Sequence, residues 1–198
     1  MIPVLALACV GVVADPVGPP PEGRAVATFA GGCFWCVEEA FDPVDGVERT
    51  TSGYTGGDVA DPSYYEVAGS DTGHAEAVRI VYDPERVSYR ELLDVFWHNI
   101  DPTQSNRQFC DRGPEYRSAI FYHGDEQRQL AEQTRDRIAA SGVLPGPIMT
   151  EIESAGPFYA AEERHQNYYQ KNPERYMFYK ASCGREARLR QIWADESG

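Results

Sequence analysis

The sequence predicts an α+β fold, a mixed β-sheet with helices packed on it as a two-layer α/β sandwich. Short apolar or alternating runs, which are typical of strands, are mixed with longer runs of helical periodicity. The two kinds of segment do not alternate strictly, as they would in a doubly wound parallel sheet. No internal repeat is visible after the first 23 residues. The pattern therefore indicates one main domain, for which we expect a ferredoxin-like core.

The first half of this domain begins with a strand, a turn and a helix. An apolar run over Ala25–Ala30 ends at Gly31 and Gly32, as a buried strand does before a tight turn. A helix is expected from Phe34 to Phe41, because the Asp42-Pro43 pair stops it. Two further strands are expected from the Thr- and Gly-rich residues 46–57 and from the alternation over 75–83.

The second half continues the mixture of helices and strands. Ser88 is a good N-cap for a helix over 88–100, whose apolar residues recur at helical spacing. Two strands are then expected at 116–124 and 148–154, an amphipathic helix at 125–141 closed by Gly142, and a short helix at 161–172.

The charge of the chain excludes one class of partner. Lys and Arg number 18 against 31 Asp and Glu, which gives a formal net charge of −13. A chain this acidic is repelled by phosphate backbones, so we expect no nucleic-acid binding. We expect a monomer with one domain over residues 24–198, which includes a C-terminal tail from about residue 174.

The first 23 residues stand apart from the domain. Ile2–Ala14 is an apolar run too short to span a membrane but of the length of an export signal, and "ALAC", ending at Cys9, resembles a lipoprotein processing site. These features favour export to the periplasm or anchoring as a lipoprotein. No Lys or Arg precedes the run, however, so a cytoplasmic extension remains the alternative. Residues 16–23 contain four prolines and predict an extended linker.

The stretch "AGGCFWCVEEAF" places Cys33 between a glycine turn and the start of a helix. Backbone N–H groups and the helix dipole at such a position favour a thiolate, which is the nucleophilic form of cysteine. The chain has five cysteines at irregular spacing, which favours reactive thiols over a disulfide framework. The alternative interpretation of Cys33 is a buried cysteine that acts as a small hydrophobic side chain.

Five blocks in order decide between these interpretations. They are "GGCFWCVE", "GYTGG", "DPSYYEVAGSDTGHAEAVRIVYD", "NRQFCDRGPEYRSAIFY" and "AEERHQNYYQKNP". Together they closely resemble the A-type peptide-methionine sulfoxide reductases, over about residues 26–173. The resemblance implies reduction of methionine S-sulfoxide, free or in proteins, by a thiol mechanism that repairs oxidised proteins and needs no metal or cofactor.

The resemblance also implies roles for individual residues. Cys33, from the GCFW motif, is expected to attack the sulfoxide sulfur, and Phe34 and Trp35 to form the pocket for the substrate methyl group. Glu76, from the GHAE motif, is expected to donate a proton to the sulfoxide oxygen. Burial among apolar and tyrosyl neighbours would raise the pKa of this carboxyl and keep it protonated.

Three further residues are placed at the site by the matched blocks. Tyr64 and Tyr116 are expected to hold the sulfoxide oxygen by hydrogen bonds, and Asp111 to orient the site. Without the matched blocks, both tyrosines would be interpreted as core residues. We interpret His74 as structural, because Glu76 beside it already supplies an acid.

The reaction implies a second thiol, which the sequence does not single out. Transfer of oxygen leaves Cys33 as a sulfenic acid, which a resolving thiol converts to a disulfide. An outside dithiol such as thioredoxin would then reduce that disulfide by exchange. Cys183 in the tail and Cys36 in the Cys-x-x-Cys pair are equal candidates for the resolving thiol, and Cys110 follows them.

Other functions account for less of the sequence. A thioredoxin-like oxidoreductase also uses Cys-x-x-Cys after a strand, but Phe34 and Trp35 replace the usual proline motif. A zinc site from Cys33, Cys36, His74 and Cys110 would have only one close-spaced pair of ligands. A Cys-His hydrolase would need a histidine in the context of a base, and a binding module would leave the thiols without purpose.

Overall fold

The computed structural model describes residues 17–69 and 71–193, and within these ranges the α+β prediction is confirmed. The eight strands are β1 Ala25–Gly31, β2 Val47–Thr55, β3 Ala75–Tyr82, β4 Arg107–Gln108, β5 Asp111–Arg112, β6 Ser118–Tyr122, β7 Glu151–Ser154 and β8 Tyr159–Ala160. The seven α-helices are α1 Phe34–Phe41, α2 Tyr64–Gly69, α3 Tyr89–His98, α4 Asp125–Ser141, α5 Tyr168–Lys171, α6 Pro173–Ser182 and α7 Arg185–Ile192. A short 3-10 helix covers Pro114–Tyr116.

Six strands form one mixed sheet in the order β7-β6-β1-β3-β2-β8. Every neighbouring pair is antiparallel except β6 and β7, which are parallel and joined through α4. The central four strands, with α1 after β1 and α3 after β3, follow the β-α-β-β-α-β order of a ferredoxin-like unit. β4 and β5 make a separate two-stranded hairpin.

Alternation along the central strands builds two apolar clusters. Ala27 and Phe29 of β1 lie in the larger cluster with the apolar faces of α1 and α3, whereas Ala30 lies in a smaller cluster with Phe121 and Phe158. Successive strand residues point to opposite faces, so both faces of the sheet centre are covered. All eight residues of β3 are buried in consequence.

The local helix signals are confirmed at two positions. The Ser88 side chain accepts a hydrogen bond from the Glu91 backbone N–H, and the Glu91 carboxylate accepts from the Ser88 backbone N–H, which makes a capping box before α3. Gly142 adopts a left-handed conformation at the end of α4.

One segment differs from the prediction. Of residues 161–172 only Tyr168–Lys171 is α-helical, and the residues before it form turns in which the Gln166 side chain binds the Ser52 backbone, far away in sequence. The C-terminal segment packs on the rest of the domain, because the Arg188 guanidinium on α7 pairs with the fully buried Asp101 carboxylate at 2.8 Å. Trp193 lies in the core beside it.

The predictions about the N-terminal apolar segment fall on residues 1–16, which lie outside the described residues. Within the described ranges, no helix is both long enough and apolar enough to cross a membrane.

Candidate active site

The turn between β1 and α1 explains the two glycines before Cys33. Gly32 has φ +83°, and a side chain there would place its Cβ 2.5 Å from the Cβ of Gln108. Only glycine allows this conformation together with this close approach. The turn makes Cys33 the N-cap residue of α1 and packs the β4–β5 hairpin against it.

Gln108 fixes the hairpin that brings Asp111 to the site. Its side-chain amide accepts a hydrogen bond from the Asp101 backbone N–H and donates one to the Asp101 carbonyl, both at 2.9 Å. The hairpin therefore has a defined position beside the Cys33 turn. Asp111 opens its second strand, two residues before the Gly113 turn that leads to Tyr116.

One pocket of about 150 Å³ collects every substrate-contacting residue that the sequence analysis named. Its walls come from the start of α1, from α2, β3 and β5, from the 3-10 helix, and from α6. The lining residues are Cys33, Phe34, Trp35, Tyr64, Glu76, Asp111, Tyr116 and Tyr179. Tyr179 of α6 was not foreseen, because it lies in a segment that the sequence analysis treated as a tail.

Glu76 is held with its carboxyl away from water. The side chain is 2% exposed, and Oε2 accepts a hydrogen bond from the Phe34 backbone N–H at 3.0 Å. Burial raises the pKa of Glu76 to about 8, and the nearby carboxylates of Asp111 and Glu115 act in the same direction. The carboxyl is therefore protonated at neutral pH, as expected of an acid.

Cys33 differs from the expectation of a thiolate at the helix start. No helix N–H caps its side chain, since the first one goes to Glu76. Burial raises the pKa of the Cys33 thiol well above its ordinary value, and a hydrogen bond to Cys36 adds to this. The same hydrogen bond lowers the pKa of Cys36, with help from the charge of Arg185. The two shifts have opposite directions, so Cys33 holds its proton more firmly than Cys36 does.

The hydroxyl groups in the pocket remain neutral donors. Burial raises the pKa of both Tyr64 and Tyr116, and their hydroxyls are hydrogen-bonded to each other. Tyr179 donates to Asp111 Oδ2 at 2.5 Å. Burial also raises the pKa of the Asp111 carboxyl, although the Tyr179 hydrogen bond opposes the shift. The pocket therefore offers hydroxyl donors and a carboxylic acid around one thiol.

Trp35 is fixed by rings on two sides. Its indole stacks on Tyr168 with ring centroids 3.8 Å apart and meets the edge of Tyr179 at 5.9 Å. The indole N–H donates to Nδ1 of His165 at 3.3 Å, and the His165 ring stacks on Tyr64. His165 was not predicted as a contact of the site, although it lies in the matched block "AEERHQNYYQKNP".

Known proteins provide an independent comparison with this arrangement. The family model described as "Peptide methionine sulfoxide reductase" matches residues 25–197. The chain belongs to the peptide methionine sulfoxide reductase family. A peptide methionine sulfoxide reductase MsrA of Bacillus licheniformis is 52% identical over 172 residues, which cover 87% of this chain and 95% of the relative.

Solved structures of the family show the same fold. The reduced form of Mxr1 from Saccharomyces cerevisiae has a TM-score of 0.72 and 33% identity, and the match covers 83% of this chain and 92% of that one. Methionine sulfoxide reductase A of Corynebacterium diphtheriae has a TM-score of 0.69 and 34% identity, with 86% and 92% covered.

Within this peptide methionine sulfoxide reductase, the remaining cysteines fall into two groups. Cys110 and Cys183 form a disulfide that ties the β4–β5 hairpin to the end of α6. Cys33 and Cys36 are both buried free thiols, one helical turn apart. The two candidates Cys110 and Cys183 are thus paired with each other and not with Cys33, because the hairpin brings Cys110 against the tail.

His74 has a structural environment, as the sequence analysis expected. Its Nδ1 accepts from the Gly57 backbone N–H at 3.2 Å, and Nε2 bonds the Val59 carbonyl at 2.7 Å. Both ring nitrogens are therefore occupied by backbone. The four ligands of the alternative zinc site are not brought together in the structure, since Cys110 is bonded to Cys183 and His74 binds backbone.

Proposed function

We propose that the chain is a peptide-methionine (S)-S-oxide reductase, which returns methionine S-sulfoxide, free or within oxidised proteins, to methionine. The observation that carries this proposal is the pocket in which the Cys33 thiol faces a buried, protonated Glu76 among aromatic rings. The reaction reverses a common oxidative lesion, so the function is protein repair.

Glu76 acts as the acid that makes the sulfoxide oxygen able to leave. A sulfoxide oxygen is a poor leaving group until it is protonated, and a carboxyl with a pKa of about 8 carries the proton at neutral pH. The hydroxyls of Tyr64 and Tyr116 line the same pocket and hold that oxygen by hydrogen bonds. Asp111 is a positioning residue, held by the hydroxyl of Tyr179.

The aromatic rings bind the remainder of the sulfoxide group. Phe34 and Trp35 form apolar walls beside Cys33, where the methyl group and the sulfur of the substrate gain favourable contact. The Tyr168 and His165 contacts hold the indole of Trp35 in place, so the sulfur is presented to the thiol in one orientation.

Cys36 supplies the base that Cys33 needs. As the Cys33 sulfur attacks, its proton passes along the existing hydrogen bond to Cys36, while Glu76 protonates the oxygen. The oxygen is transferred to Cys33, which becomes a sulfenic acid, and methionine is released. The Cys36 thiol then attacks the Cys33 sulfur, the hydroxyl group leaves as water, and a Cys33–Cys36 disulfide remains.

An outside dithiol completes the cycle. We assign this role to thioredoxin or a similar dithiol protein. It reduces the Cys33–Cys36 disulfide by thiol–disulfide exchange, and its own dithiol is oxidised to a disulfide. The Cys110–Cys183 disulfide lies on another pair of elements, and we assign it no part in this exchange. In this assignment Cys36 is the resolving cysteine.

Three single substitutions test the proposal. Cys33→Ser should form no methionine from the S-sulfoxide in either a single or a multiple turnover. Cys36→Ser should form one methionine per chain, roughly tenfold more slowly, and should not recycle with thioredoxin. Cys183→Ser is the control, because it breaks the Cys110–Cys183 disulfide, leaves the Cys33–Cys36 pair in place and should keep both activities.

The assignment would be overturned by methionine formation in Cys33→Ser at the rate of the unsubstituted chain. Loss of thioredoxin recycling in Cys183→Ser, with recycling intact in Cys36→Ser, would move the resolving role to Cys183.

A further inference from the structure

A second hollow adjoins the reaction pocket and shares two of its walls. We name it the flank groove; it has a volume of about 460 Å³ and is lined by Trp35, Tyr168, Glu174, Arg175, Phe178 and Tyr179. Trp35 and Tyr179 belong to both hollows, and their ring centroids are 5.9 Å apart. The groove therefore adjoins the pocket that we assign to the sulfoxide, across the Trp35–Tyr179 pair.

The reaction pocket is too small for more than one side chain of a protein substrate. Its volume of about 150 Å³ is enclosed by eight residues, so the chain on either side of the methionine must lie over the rim. The rim formed by Trp35 and Tyr179 leads directly into the flank groove. A bound peptide segment that follows this rim places a neighbouring side chain there.

The flank groove presents apolar surface to water. Phe178 is 77% exposed although it is a large apolar side chain, and its helix also carries Tyr179 of the pocket wall. Exposed aromatic rings beside a concave site are typical of surfaces that bind a partner. Glu174 and Arg175 contribute one charge of each sign, so the groove selects for apolar side chains and not for a charge.

We propose that the flank groove binds an apolar side chain, aromatic or branched aliphatic, that lies two residues from the methionine sulfoxide in an extended segment of an oxidised protein. Side chains two residues apart in an extended chain point the same way and lie about 7 Å apart, so the second one can reach past the Trp35–Tyr179 pair, whose ring centroids are 5.9 Å apart. This inference rests on the proposed function and specifies its substrates: unfolded or surface segments in which an apolar residue accompanies the oxidised methionine.

The test compares four substrates that differ only beyond the sulfoxide. They are N-acetyl-methionine S-sulfoxide, a short peptide with glycines around the sulfoxide, and the same peptide with phenylalanine two residues before or two residues after it. The first-turnover rate is measured with enzyme in excess and no recycling reductant, so that it reports kcat/KM for the sulfoxide step alone.

Phe178→Ser is the informative variant, and Met177→Ser is its matched control. Met177 is the neighbouring exposed apolar residue on the same helix, but it lines a different hollow and not the flank groove. We expect the unsubstituted chain and Met177→Ser to prefer one phenylalanine peptide over the glycine peptide by about tenfold, which corresponds to about 1.4 kcal/mol. Phe178→Ser should lose this preference and reduce N-acetyl-methionine sulfoxide at an unchanged rate.

Three outcomes would overturn the inference. The first two are no preference in the unsubstituted chain and an equal preference in both variants. The third is a Phe178→Ser effect that is absent from the first turnover and appears only in the KM for thioredoxin, measured in a separate multiple-turnover assay. The last outcome would assign the groove to the reductant. Failure of the proposed function is a separate result, because then the unsubstituted chain would not reduce N-acetyl-methionine sulfoxide at all.

Discussion

At the scale of single residues, the chemistry depends on three protons: those of the Phe34 N–H, the Glu76 carboxyl and the Cys33 thiol. The Phe34 N–H that could have stabilised a Cys33 thiolate is used by Glu76, so the helix start holds the acid and not the nucleophile. The Cys33 proton rests on sulfur until Cys36 accepts it. This division gives the site a neutral acid and a protonated Cys33 thiol at the same pH.

The pH dependence of the first turnover should report the acid. Glu76 must be protonated to act, and its pKa is raised to about 8, so the rate should fall about tenfold per pH unit above pH 8 and remain unaffected by this group below it. Glu76→Gln should be slower by roughly a hundredfold and should lack this alkaline limb. A first-turnover profile between pH 6 and pH 10 measures both. An alkaline limb of the same position in Glu76→Gln would remove the acid role from this residue.

At the scale of secondary-structure elements, the β1–α1 turn is the feature on which the pocket depends. Alanine at Gly32 would need a positive φ, which costs about 1–2 kcal/mol, and would collide with Gln108, which adds about 1–3 kcal/mol. We expect Gly32→Ala to lower the free energy of unfolding by the sum of these costs and to reduce activity, because the hairpin must move.

Gly142→Ala is the matched control for that substitution. Gly142 also has a positive φ, of +74°, but no atom lies within 4 Å of an added Cβ. Gly142→Ala should therefore lower the free energy of unfolding by the backbone cost alone and retain full activity. Equal losses of stability and activity in the two variants, compared by urea unfolding and first-turnover rates, would show that the contact with Gln108 is unimportant.

The elements that the sequence predicts correctly are those with local signals. The Ser88 cap, the Gly142 end and the alternating strands depend on neighbours in the chain, and the structure has them. The helix expected over 161–172 is largely wrong, because side chains there bind distant backbone, as Gln166 binds Ser52, in place of forming a helix. Periodicity does not report such long-range competition.

At the scale of the whole molecule, the C-terminal segment completes the site that the N-terminal half begins. α6 supplies Tyr179, and α7 supplies Arg185, whose guanidinium is buried and donates to the Asn99 carbonyl at 2.6 Å. The matched motifs predict the nucleophile and the acid but leave Tyr179 and the cysteine pairing undetermined. Both depend on how the C-terminal helices meet the β4–β5 hairpin, which no local pattern encodes.

The Cys110–Cys183 disulfide should contribute stability and not turnover. It closes a loop of 73 residues in sequence, so the double substitution of both cysteines by serine should lower the free energy of unfolding by about 4 kcal/mol. Urea unfolding of the double variant measures this loss, and its first-turnover and thioredoxin-dependent rates at 25 °C should equal those of the unsubstituted chain. A loss of recycling alone, with first turnover intact, would instead place this pair in the reaction.

The central claim, that oxygen passes to Cys33 and Cys36 resolves it, is tested most directly by mapping thiols after one turnover. The protein, with Cys33 and Cys36 reduced, is mixed with one equivalent of methionine S-sulfoxide in the absence of a reductant. Free thiols are then alkylated, and the peptides are identified by mass. The account predicts one methionine per chain and a Cys33–Cys36 disulfide, with Cys110 still joined to Cys183. Methionine formed while Cys33 remains an alkylatable thiol would contradict it.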